Sequence, residues 1–184
     1  IMMDNIFGGK VSDTQTKQIW GFPMTYDVSG DLVNSDVNVG TTIKAGNYSE
    51  VLFGKPDGSG NITGGEVTSL AGLTIGTGST FKAAVVGGTS GNNTISFGNN
   101  ANAKVKGDIN LLVGNDTIKT GTGAVVEVSG DVKGVETISL GKGAVMIVGQ
   151  VDDATDTVTT TDVIGLAGLT LASGSAAKFD KNNN

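Results

Sequence analysis

Apolar residues recur in this chain with two superposed spacings. At short range they alternate with polar ones, as on a half-buried strand: Ala101, Ala103 and Val105 are separated by Asn102 and Lys104. At longer range the stretch Thr-Ile/Leu-x-x-Gly returns six times, starting at Thr42, Thr74, Thr94, Thr117, Thr137 and Thr170. In five copies an apolar residue follows the Ile after ten positions: Ile43 to Phe53, Ile75 to Val85, Ile95 to Val105, Ile118 to Val128 and Ile138 to Val148. A recurring unit of this kind points to an architecture before any single residue points to a chemistry.

Counting forward from each Ile or Leu predicts the elements. Gly stands three positions on in every copy, at Gly46, Gly78, Gly98, Gly121, Gly141 and Gly174. It marks a corner where the backbone adopts a conformation that side chains resist. Positions six, eight and ten then alternate as a strand, reading Phe81, Ala83, Val85 in one copy and Ala124, Val126, Val128 in another. The central copies start 20, 23 and 20 residues apart, which leaves room for three short strands and three turns at about 3.3 Å per strand residue. In the fourth copy the strands are expected near Ile109 to Val113, Asp116 to Thr120 and Ala124 to Val128. Successive units would stack at about 4.8 Å, each strand pairing in parallel with its equivalent. An antiparallel β-sandwich would not keep the ten-residue offset. The expectation is all-β: a right-handed parallel β-solenoid with coils of about 20–23 residues.

Two intervals are longer, at 32 and 33 residues, and their contents match. ITGGEVTSLAGLTIGTGS (62–79) and VTTTDVIGLAGLTLASGS (158–175) share nine of eighteen positions and lie 96 residues apart. Each is expected to hold an extra, irregular coil, starting at Ile62 and Val158. Residues 1–41 fit the register poorly and contain Trp20, Pro23 and Tyr26. They are expected to form a cap or a preceding irregular coil, because open solenoid ends expose strand edges that proteins cover. Residues 42–184 then form the array, an excerpt of a longer chain.

Composition narrows the chemistry. Gly accounts for 30 of 184 residues without a triplet period, which suits many tight turns and neither helices nor collagen. Cys, His and Arg are missing, and all twelve cations are Lys. That removes disulfides, thiolate metal sites, the commonest general base and the bidentate phosphate clamp. A net charge of −6 with no basic patch argues against nucleic acid. No apolar run is long enough to insert in a membrane as a helix.

Four segments carry a resemblance. DNIFGGKVSD (4–13) resembles the Gly- and Asp-rich nonapeptide of haemolysin-type (RTX) calcium-binding β-rolls, and GNDTI (114–118) is similar to its core. DVKGVETISLGKGA (131–144) resembles repeats of bacterial surface-layer and adhesin proteins related to that family, and GLTIGTGSTF (72–81) is similar to passenger domains of autotransporter adhesins. The resemblance implies an extracellular or cell-surface location. It also implies calcium as the ion, with Asp116, Asp131, Asp108, Glu136 and Asp13 as candidate ligands. Asn93, Asp116 and Glu136 share one position of the repeat, and Asp108 and Asp131 share another. The chain departs from the family in two ways: GTGAVV (121–126) lacks the Asp, and the period is not eighteen residues. Turn-forming roles for these Asn, Asp and Gly residues compete with ion binding.

Enzymatic candidates are sparse. Glycosidases and lyases need clustered carboxylates in a groove, and the tight group Asp152, Asp153 and Asp156 reads as a solvated loop. Ice binding needs outward Thr-x-Thr pairs on successive coils, and Thr159 and Thr161 make one such pair alone. An outward apolar stripe at Val125, Val145 and Ile147 is a candidate interaction surface. The resulting expectation is a non-enzymatic structural segment of a surface-layer or adhesin stalk that needs no cofactor. Its expected partners are copies of itself, neighbouring domains or surface glycans. A calcium-binding β-roll is the first alternative, and a carbohydrate-binding or carbohydrate-cleaving β-helix the second.

Overall fold

The computed structural model describes residues 41–53 and 66–182 continuously, plus strands at 17–19, 25–28, 32–33, 35–37, 55–56 and 62–63; side chains are described for 42–53 and 70–182. Regular structure among these residues is all β, with no helix. The strands run mostly parallel in curled sheets, consistent with a β-solenoid-like fold.

Three ladders build the described part of the molecule. The first joins Thr41–Ala45, the second half of Glu66–Ile75, Thr94–Phe97, Thr117–Thr120, Thr137–Leu140 and Gly168–Leu171. The second joins Glu50–Phe53, Thr80–Ala83, Asn102–Val105, Val125–Val128, Val145–Asp152 and Ala176–Lys178. The third joins the first half of Glu66–Ile75 to Val85–Gly88, Ile109–Asn110, Val132–Lys133, Asp162–Ile164 and Asp180–Asn182. Glu66–Ile75 belongs to two ladders, so the first and third form one curled sheet. The second faces them across the core.

Alternation puts the apolar set inside. Ile95 and Phe97 are 1% and 2% exposed, whereas Thr94, just before them, faces solvent and Ser96 between them is half-buried. Phe53, Phe81 and Phe97 form an aromatic cluster with ring centroids 5.8 and 6.1 Å apart. Further along, Val126, Met146, Ile118 and Ile138 carry the core at 0% exposure.

The register corrects two copies of the repeat. Leu73, not Ile75, pairs with both Ile43 and Ile95, and Leu169, not Leu171, pairs with Ile138. The apolar residue ten positions on is then Ala83, buried opposite Phe53 and Val105, while Val85 is only half-buried. The expected third-ladder strand Ile109 to Val113 also stops early, at Asn110. Leu112 there has φ 64° and Val113 is 81% exposed.

With the register corrected, the corner separates into two columns with different causes. Gly76, Gly98, Gly121 and Gly141 have ordinary φ but lie on one another. A Cβ on Gly76 would sit 2.5 Å from the Gly46 carbonyl carbon, and one on Gly141 would sit 2.5 Å from that of Gly121. Two residues later φ turns positive in every copy: Tyr48 56°, Gly78 67°, Asn100 55°, Gly123 68°, Gly143 67° and Gly174 71°. Such a φ at the third residue of a four-residue turn fits type II, which favours Gly or Asn. Gly78 and Gly174 therefore serve this second column, not the close-approach column.

The two long intervals hold antiparallel hairpins where extra coils were expected. Gly149–Asp152 pairs with Thr157–Thr160, and Lys55–Pro56 pairs with Ile62–Thr63. Each hairpin follows a second-ladder strand, and each lengthens the spacing to the next equivalent: 31 residues from Ile138 to Leu169 and 30 from Ile43 to Leu73. The expected cap at 1–41 lies largely outside the described residues. Its described strands pair in parallel with the array: Thr25–Val28 with Thr41–Ala45, Leu32–Val33 with Glu50–Phe53, and Ser35–Val37 with Glu66–Ile75.

Candidate functional site

The position before the first-ladder threonine places its polar side chains in a hydrogen-bonded column. The Asn93 N–H donates to Asp116 Oδ1 at 2.7 Å, and the Asp116 N–H donates to Glu136 Oε2 at 2.7 Å. Asn93 and Asp116 are buried, at 2% and 0% exposure. Asn93 is well satisfied: its Nδ2 donates to the Thr89 carbonyl at 2.6 Å, and its Oδ1 accepts from the Thr89 hydroxyl at 3.0 Å. Asp116 is less so, because its Oδ2 is buried with no hydrogen-bond partner. Burial pushes the Asp116 carboxyl above the usual carboxylate range and the negative Glu136 adds to this, while hydrogen bonding from Asn93 opposes it.

A second column runs in the opposite sense before the third ladder. Asp108 Oδ1 accepts the Asp131 N–H at 2.8 Å, and Asp131 Oδ1 accepts the Asp162 N–H at 3.0 Å. In both columns a carboxylate oxygen satisfies a backbone N–H of the adjacent repeat at a point where strand pairing is interrupted. The structure thus joins Asp116 to Glu136 and Asp108 to Asp131, but it does not bring the pairs together. Among the described residues no three or more acidic side chains come together at one point. Asp13 lies outside the described residues.

The structure makes register partners of two of the three stripe residues. Val125 pairs with Val145, and Ile147 sits opposite Glu127. All three stripe residues are half-buried, and the polar rows beside them include Lys104, 3.7 Å from Glu127.

One face was not singled out by the sequence as a site. The outward positions of the first ladder form two rows: Thr42, Gly72, Thr94, Thr117, Thr137 and Gly168, then Lys44, Thr74, Ser96, Lys119, Ser139 and Thr170. Its signal was available in the threonine that opens each repeat. The missing side chain at Gly72 leaves an open groove of about 440 Å³ between Thr42 and Thr94, with Thr74, Ser96, Asn92 and Lys119 around it.

No protein-family model, curated protein or solved structure matches the chain.

Proposed function

We propose that the chain is a segment of a right-handed parallel β-solenoid that acts as a stiff extracellular rod of the surface-layer or adhesin-stalk kind. The observation that carries this reading is that pairing between repeats continues around the corners as well as along the strands. The Tyr48 N–H donates to the Thr77 carbonyl, Gly78 to Asn99, Asn100 to Thr122 and Gly123 to Lys142, each at 2.8 Å. A stack linked at its turns resists bending more than one linked only through its faces. The resemblance of residues 131–144 to surface-layer and adhesin repeats supports the bacterial surface setting. The work of such a protein is mechanical: each repeat adds about 4.8 Å of length and presents the same lateral faces again.

Assembly is the testable part. Leu169 and Leu171 are 43% and 47% exposed, whereas Ile138 and Leu140, their neighbours one repeat inward, are 0% and 1% exposed. This edge suits a further parallel repeat from a second copy or a neighbouring domain. Sedimentation and small-angle scattering over a concentration series should show elongating species, reduced by Leu169→Lys with Leu171→Lys. A dilute monomer at every concentration removes the self-assembly role. A change in circular dichroism and melting temperature between millimolar calcium and chelator would instead favour the calcium β-roll.

A further inference from the structure

We propose that the threonine face is a binding surface for a linear acidic polysaccharide, whose chain lies along the stack and settles into the groove over Gly72. The inference rests on the stacked-repeat reading above and adds a ligand to it. Three observations converge. The first is composition in place: from Thr41–Ala45 to Gly168–Leu171 the two outward rows of the first ladder contain only Thr, Ser, Gly and Lys. Across these six strands the rows carry Lys44 and Lys119 and neither a carboxylate nor a large apolar group, on a chain of net charge −6; Asp27 of the adjoining strand Thr25–Val28 is the register partner of Lys44. Glu136, next in sequence to Thr137, turns its Oε2 to the Asp116 N–H instead.

The second is availability. No hydrogen bond within the described residues engages the side chains of Thr42, Thr74, Thr94 or Ser96, whereas several polar columns beside the strands, such as Asn93–Asp116–Glu136 and Asp108–Asp131, are tied to the next repeat. These hydroxyls can both donate and accept, as sugar hydroxyls do. The third is shape and spacing. Gly72 interrupts the threonine row and opens the groove, and Lys119 reaches its edge. Nothing in the immediate packing requires glycine here: the nearest atom to a Cβ on Gly72 would be Thr42 Cγ2, 3.4 Å away. Repeats rise by about 4.8 Å, of the same order as one pyranose ring in an extended chain. Successive sugars can therefore meet at least one hydroxyl in each repeat, and Lys119, at the edge of the groove, can meet an acidic group. With no aromatic platform in the rows, affinity comes from many weak polar contacts along the chain.

The test is direct binding of polygalacturonate to the purified chain by calorimetry, at low and high salt, with neutral dextran as comparator. Polygalacturonate should bind and dextran should not, and added salt should weaken the interaction. Lys119→Gln should weaken it about fivefold, the scale of one exposed charge contact. Gly72→Thr completes the threonine row, fills the groove and should weaken binding more. Melting temperature and scattering of the same samples report the stack separately, so a lost ligand is distinguishable from a lost fold. The proposal is overturned if the intact, folded chain does not bind polygalacturonate, if dextran binds equally, or if neither variant changes the affinity. Ice shaping by a chain that ignores polygalacturonate would also overturn it, assigning the flat hydroxyl array to ice.

Discussion

Asp116 shows how one residue can read as a ligand in sequence and as a brace in structure. Its GNDTI context suggested an ion, yet Oδ1 accepts a backbone N–H and Oδ2 is buried without a partner. Its raised pKa sets a sign. A carboxyl whose folded-state pKa lies above its unfolded value contributes stability fully below the unfolded value, near 3.9 for Asp. That contribution is lost as pH rises through the folded value. Asp116→Asn keeps the Oδ1 acceptor and removes the charge, and Asn93 shows that an amide fits the equivalent position. The variant should gain about 1 kcal/mol at pH 7, from removing a buried charge that faces the negative Glu136. The gain should vanish as pH falls through the Asp116 titration, which denaturant melts of both proteins across pH would show. Loss of stability at neutral pH would mean that the charge is compensated by a bound cation after all. The two glycine columns give a second residue-scale test. Gly143→Ala meets no atom within 4 Å but keeps φ 67°, so it should cost about 1 kcal/mol. Gly141→Ala drives a Cβ into the Gly121 carbonyl and should cost about 3 kcal/mol. Equal losses in chemical denaturation would contradict the close-approach assignment.

At the scale of elements, the sequence was legible wherever one repeat spacing sufficed. Ile95, Ile118 and Ile138 pair as the spacing required, and so do Val105, Val128 and Val148 in the second ladder. It was misread by two residues at 74 and 170, for a physical reason. In GLTIG both Leu73 and Ile75 point inward, and a shift of two preserves every side chain's face. Burial pattern alone cannot detect such a slip; the stacked glycines do. The hairpins were missed because VDDATDTVTTTD has the polarity of a loop, and nothing local distinguishes an antiparallel excursion from an extra layer. The carboxylate columns were seen as positions but not as bonds, since which backbone N–H a side chain reaches depends on the register. The hairpin at 149–160 leads to a prediction of its own. Val151, Asp152, Asp153 and Ala154 are exposed, and strands on either side of the excursion pair independently of its tip. Replacing 152–157 with a two-residue turn should leave stability within about 0.5 kcal/mol, as expected for a shortened surface connection. A large loss on thermal melting would show that the tip packs on the stack.

At the scale of the molecule, each repeat touches mainly the ones beside it, so stability should behave as a row of coupled units. Ile118 is 0% exposed and paired on both sides, to Ile95 and Ile138, whereas Leu169 is paired to Ile138 and 43% exposed. Ile118→Ala should therefore cost about 3–4 kcal/mol, the usual range for a large buried aliphatic side chain. Leu169→Ala should cost less than about 1 kcal/mol, because much of its surface is already in water. The more telling outcome is spatial. In hydrogen exchange, Ile118→Ala should raise opening on both flanks, from Thr94–Phe97 through Thr137–Leu140, and uncouple the repeats on either side. Leu169→Ala should speed exchange only in Gly168–Leu171 and the adjoining turn. A chain that opens all at once in both variants would be a single cooperative globule. It would then lack the additive stacking on which both the rod and the polysaccharide face depend.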